Sequence, residues 1–142
     1  MMPIERFRKL AIKRGLTPGA LLDASPEDLD LLLLSLRRAF AVTRTYSERE
    51  VNALLSNWLV SIGGMLDVDH VELRRWMVDL SLIARDAYGH AYAVAPVPAR
   101  LQQLEADIAA LDFCREFADA NKRESQKRAA RKAAWQQAKS VS

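Results

Sequence analysis

The chain has 142 residues, half of them hydrophobic and 27% charged, with a formal net charge of +3; this is the balance of one soluble domain with an extension. Apolar runs such as Leu31 to Leu34 are far too short to span a bilayer, and Glu5, Arg6, Arg8 and Lys9 stand where a secretion signal would need an apolar core. Cys114 is the single cysteine, so no internal disulfide is possible; with only His70 and His90 beside it, a structural zinc site is excluded and a cytoplasmic location is expected.

Residues 3–14 read as a short amphipathic helix, with Ile4, Phe7, Leu10 and Ala11 on one face. Gly15 stops it, and "LTPG" reads as a turn. "SPEDLDLLLLSLRRAF" opens a second helix: Ser25 suits the N-cap, Pro26 the first helical position, and Glu27 and Asp28 the electropositive first turn. Its buried stripe is Leu29, Leu32, Leu33, Leu36 and Phe40. A Ser47/Glu50 capping box opens the next helix, to about Leu59, with Val51, Leu54, Leu55 and Trp58 inward. Tyr46, just before the cap, is placed to staple its start. "SIGGMLDVD" breaks it, and Asp69 with Glu72 forms a second reciprocal cap for a helix over about 69–80. On that helix Leu73, Trp76, Met77 and Leu80 share the core side, while Val71, Arg74, Arg75 and Val78 fall on the other half. Two apolar runs around Asp86 and Gly89 then predict a hairpin over about 82–94.

From Ala99 the pattern is helical almost to the end. Leu101, Leu104, Ile108 and Leu111 repeat at 3-4-3 spacing, a candidate homodimer seam or a face that packs back on the body. Cys114 is expected as a buried small hydrophobe. Residues 121–142 carry seven Lys/Arg against Glu124, net +6, which leaves −3 for the rest. All the excess positive charge therefore lies in this tail.

Three of these stretches, "TYSEREVNALL", "DHVELRRWMVDLSLIARD" and "GHAY", resemble in order the motifs of the bacterial family called domain of unknown function 2087, over roughly residues 36–94. Met77 stands where that family usually has Leu, Leu80-Ser81 replaces its aromatic-Gly, and the linker before Asp69 is longer. The resemblance implies a suspected nucleic-acid-binding role, in some members beside a regulator domain.

The helix, helix, helix, hairpin order predicts a mostly α fold. It has a winged-helix-like three-helix core with a two-stranded hairpin wing, an extra N-terminal helix and a long C-terminal helix. Residues 1–96 would form the body and 97–142 the long helix with its basic tail. Nucleic acid is the candidate partner. Arg44, His70, Arg74, Arg75 and Arg85 are the candidate contacts in the body, and Lys122, Arg123, Lys127, Arg128, Arg131 and Lys132 those in the tail. Two features oppose contact through the body. Residues 41–95 sum to −2, and Val71 and Val78 ill suit a groove-facing surface. The alternative is a protein-interaction module that contacts no DNA, in which Arg74 and Arg75 are internal ion-pair partners: Arg75 with Asp79, Arg74 with a carboxylate of the Ser47 helix, the second helix of the three-helix core. No phosphate loop, metal cluster or nucleophile–base pair is visible, so neither catalysis nor a cofactor is expected.

Overall fold

The computed structural model describes residues 1–141; Ser142, the last residue of the predicted tail, lies outside them. Its helices are α1 (Pro3–Ala11), α2 (Pro18–Ala24), α3 (Pro26–Arg37), α4 (Glu48–Leu59), α5 (His70–Asp79), α6 (Gln102–Ile108) and α7 (Phe113–Val141). The strands are β1 (Tyr46–Ser47), β2 (Ile83–Arg85) and β3 (Ala91–Val94). Among the described residues no helix is long and apolar enough to cross a membrane.

The order α3-β1-α4-α5-β2-β3, with a sheet ordered β1-β3-β2, is that of a winged helix. All three strands are antiparallel: Tyr46 pairs with Tyr92, and Ile83 with Val94. The expected two-stranded wing thus gains a third strand. Tyr46 does more than staple a helix start. It is buried, its ring meets Phe40 edge-on at 5.2 Å, and its hydroxyl accepts the Ala41 N–H at 2.8 Å.

The core centres on α3, in which every residue from Leu31 to Leu36 is buried. An apolar stripe wider than one face means that other elements surround this helix. α1 and α2 pack on it, α7 packs along α1, and Arg37 holds the end of β3 through its Ala95 carbonyl at 2.6 and 3.2 Å. Its one buried polar side chain, Ser35, donates to the Leu32 carbonyl at 2.6 Å.

The capping box at α4 forms in both directions: Ser47 Oγ accepts from the Glu50 N–H at 3.1 Å, and Glu50 Oε1 accepts from the Ser47 N–H at 3.0 Å. At α5 only half of the expected reciprocal cap is present among the described residues, the Glu72 N–H on Asp69 Oδ1 at 2.8 Å. The long linker is a packed segment. Met65 and Leu66 are buried, and Leu16 exchanges backbone hydrogen bonds with Met65 and Asp67. Gly63 lies against the Trp58 ring, where no side chain fits.

Four expectations are corrected. The "LTPG" expected as a turn instead opens a helix, α2 (Pro18–Ala24), capped by Thr17, whose hydroxyl accepts the Ala20 N–H at 3.3 Å. The C-terminal helical stretch is interrupted between Ile108 and Phe113, where Asp112 Oδ1 accepts the Arg115 N–H at 3.1 Å and starts α7 afresh. That restart turns Phe113 into the core and leaves Cys114 exposed. Trp76 is half-buried, because α5 buries only the narrow line of Leu73 and Met77.

Candidate nucleic-acid interface

The predicted seam residues face their own chain. Leu101 and Ile108 are buried in the core, and Leu104 and Leu111 pack partly against it. The short α6 lies over α1, with Arg38, the residue that caps the end of α3, bonded to Glu105 at 2.7 Å and to the Ala109 carbonyl at 2.9 Å.

The candidate cations of the body divide into two groups. Arg44 is tied to Glu50 and lies over the Tyr46 ring, 4.5 Å from its centroid. This explains the "RTYSERE" string: Arg44 neutralises the carboxylate that caps α4. The Glu50 carboxyl is held below its ordinary value, first by the Ser47 backbone N–H and then by the Ser47 hydroxyl, with Arg44 adding to it. Arg74 is only 15% exposed, 3.3 Å from Glu48, bonded to Asn52 and 5.9 Å from the Tyr92 ring centroid. It joins α5 to α4 and to the sheet, and its partner is the second-helix carboxylate the sequence suggested. Val78 is partly buried against the core and lines the same depression as Arg74, Arg85 and Tyr92.

Arg75 and Arg85 form the second group. Both are exposed, and neither is within ion-pairing distance of a carboxylate among the described residues. The expected Arg75–Asp79 pair does not form. Arg75 projects from α5 and Arg85 from β2, and together with Arg74, Val78, Asp79 and Tyr92 they line one open depression of about 290 Å³. With Arg74 paired to Glu48, Arg75 and Arg85 against Asp79 leave its rim with a small positive excess. His70 stands half-buried at the first position of α5.

The hairpin tip beside this depression is held by Asp86. Its backbone N–H bonds the Ala91 carbonyl at 2.9 Å, its side chain accepts the His90 N–H at 2.8 Å, and its carbonyl accepts the Gly89 N–H at 3.1 Å. Gly89 has φ +71°, the left-handed conformation glycine adopts without a Cβ penalty. The His90 amide keeps the Asp86 carboxyl below its ordinary value, with further amides and the His90 charge assisting. Tyr88 is thereby presented at 83% exposure, its ring stacked on His90.

The tail candidates lie on α7. Its first turns pack on α1: Phe7 meets Phe113 edge-on at 4.8 Å, Arg8 donates to Glu116 at 2.8 Å, and Asn121 donates to the Ala11 carbonyl at 2.9 Å. From Ser125 onward every described residue is exposed. At 100° per residue Arg123, Lys127, Arg128, Arg131 and Lys132 share one half of the helix, and the candidate Lys122 falls on the other with Ala129, Ala133 and Gln136. Glu124 serves both Arg128 and Arg131, at 3.6 and 3.4 Å. Where α7 leaves α1, a groove of about 200 Å³ is lined by Arg8, Lys9, Ile12, Ala120, Arg123, Glu124 and Lys127. Sequence reasoning had no signal for Lys9, because its neighbours lie over a hundred residues away. The body and tail cations therefore occupy two separate pairings of elements, α5 with β2 and α7 with α1.

Residues 23–94 match the family described as "Uncharacterized protein conserved in bacteria (DUF2087)", and the chain belongs to that family. The match runs from the end of α2 through the hairpin, and so covers α3, β1, α4, α5, β2 and β3. No curated protein and no solved structure matches the chain.

Proposed function

We propose that this is a non-enzymatic, cytoplasmic nucleic-acid-binding protein of winged-helix type, acting in bacterial transcription or a related regulatory step. The observation that carries the reading is the meeting of Arg75 and Arg85 on one open depression without carboxylate partners among the described residues. They come from the third helix and the wing, and a helix of this position is the one that helix-turn-helix proteins lay in the major groove. The surface carries little excess charge, so it supplies orientation more than affinity, and the basic half of α7 supplies the phosphate neutralisation that dominates binding to duplexes.

Fluorescence anisotropy of a labelled random-sequence duplex at two salt concentrations tests the reading. Affinity should fall as salt rises. Arg75→Ala with Arg85→Ala should flatten the slope of log affinity against log salt by up to about 1.8, from two neutralised phosphates at about 0.9 each. Absence of salt-dependent binding at low ionic strength would dismiss it. A second reading would then stand, since Trp76 and Leu80 make a half-buried apolar floor in a depression of about 260 Å³ rimmed by Glu72, Arg75 and Asp79. An apolar centre with a charged rim is the anatomy of a protein–protein contact.

A further inference from the structure

We infer that the groove between α1 and α7 is a seat for the phosphate backbone of duplex nucleic acid, with Lys9, Arg123 and Lys127 as its donors. The inference rests on the nucleic-acid reading above and gives it a location outside the winged helix.

The α1–α7 contact changes character along α7. Its first turns are complementary to α1, with Arg8 on Glu116 and Asn121 on the Ala11 carbonyl. Beyond Asn121 the groove is lined by Arg123 and Lys127 of α7 together with Lys9, which lies between Arg8 and Ala11 on α1. All three are exposed, and none makes an ion pair among the described residues. The one carboxylate there, Glu124, is already shared by Arg128 and Arg131. The groove is lined by four cations and a single carboxylate. Packing helices so that unpaired like charges converge is unfavourable for the chain alone, and a bound polyanion removes the penalty.

The row of cations continues past the groove. Arg123, Lys127 and Arg131 follow at four-residue intervals, a rise of about 6 Å each, on the half of α7 that faces α1. A duplex presents one negative charge per roughly 1.7 Å of axis, so such a stripe meets phosphates along its whole length. An anionic membrane is a poorer occupant. A helix lying in a bilayer interface needs an apolar face, and the opposite half of α7 offers Ala129, Ala133 and Gln136.

The test uses the full chain with Lys9→Gln, Arg123→Gln and Lys127→Gln combined, titrated against the labelled random-sequence duplex over a salt series. The side chains are exposed, and circular dichroism and the melting temperature should match wild type. The slope of log affinity against log salt should flatten by about 2.7, because three phosphates are no longer neutralised. Neutralising Arg49, exposed on α4 and also without an ion pair among the described residues, should leave the slope unchanged. If wild type binds the duplex and the triple variant keeps the wild-type slope, the groove holds no phosphates and the inference falls while the nucleic-acid reading stands. If wild type shows no salt-dependent binding, the parent reading fails and takes the groove with it. Sedimentation with phosphatidylserine vesicles that the triple variant no longer shows, beside an unaltered duplex slope, would assign the groove to a lipid surface and overturn the inference.

Discussion

Gly63→Ala should destabilise the protein by about 1–3 kcal/mol, as overpacking in a well-filled interior does. A Cβ at residue 63 would lie 2.2 Å from Cε3 and Cζ3 of Trp58 and 2.8 Å from Cη2. Ordinary carbon contacts are about 3.5–4.0 Å, so the ring or the backbone would have to retreat by more than an ångström. Neither is free to do so. Trp58 is 3% exposed, and the Gly63 N–H is bonded to the Trp58 carbonyl at 2.8 Å. The backbone of Gly63 is not in the left-handed region, so the cost comes from the ring alone. The double-mutant cycle isolates it. In a Trp58→Leu background the obstructing ring is gone, and Gly63→Ala should be nearly neutral, leaving a coupling of about 1–3 kcal/mol. Urea denaturation followed by far-ultraviolet circular dichroism reads all four variants. An equal cost of Gly63→Ala in both backgrounds would refute the reasoning, because contact with Trp58 could not then be its source.

Ser81 has φ +61° and closes a Schellman motif, with its N–H on the Val78 carbonyl and the Leu82 N–H on that of Met77. Ser81→Gly should therefore stabilise by about 1 kcal/mol, the steric cost of a left-handed non-glycine residue; a decrease in stability in thermal or urea unfolding would contradict this. The Asp86 carboxyl is depressed in the folded protein, so its contribution is present above the ordinary value of 3.8 and is lost as pH falls through the lower folded value. Acid titration of the melting temperature should show a drop below about pH 4 that Asp86→Asn reduces; an identical acid limb in the variant would assign the drop to other carboxylates.

The parts of the fold legible in the sequence were those with local causes. Ser47 and Glu50 announce α4 because both halves of the capping box lie within four residues. Asp86 and Gly89 announce the hairpin because that turn needs an amide acceptor and a left-handed residue. The glycine the family usually carries at position 81 marks the same kind of need, and here Ser81 takes it on at a cost. What was missed depends on distant partners. β1 is two residues long, too short for any alternation, and is a strand only because β3 pairs with it. α2 buries only Pro18 and Leu21, too few positions for a period. The break before α7 includes Ala109 and Ala110, good helix formers overruled by tertiary packing and the Asp112 cap. Of the candidate contacts, sequence placed Arg74 and Arg75 on one outward half. Their separation into an internal strut and an outward-facing cation follows from Glu48, Asn52 and Tyr92, which no helical wheel of α5 contains.

The pairing of α1 with α7 bears on how the protein is made. Arg8 and Glu116 are 108 residues apart, and Phe7 and Leu10 of α1 are buried, with Phe7 covered in part by Phe113. At synthesis rates of about 5–20 residues per second, the α7-facing side of α1 stays open for roughly 5–20 s, although α3, its other neighbour, is made much earlier. Full closure over α1 waits for α7. The N-terminal aromatic is through that interval a natural client for a chaperone, and a chain cut short before Phe113 would keep that patch open.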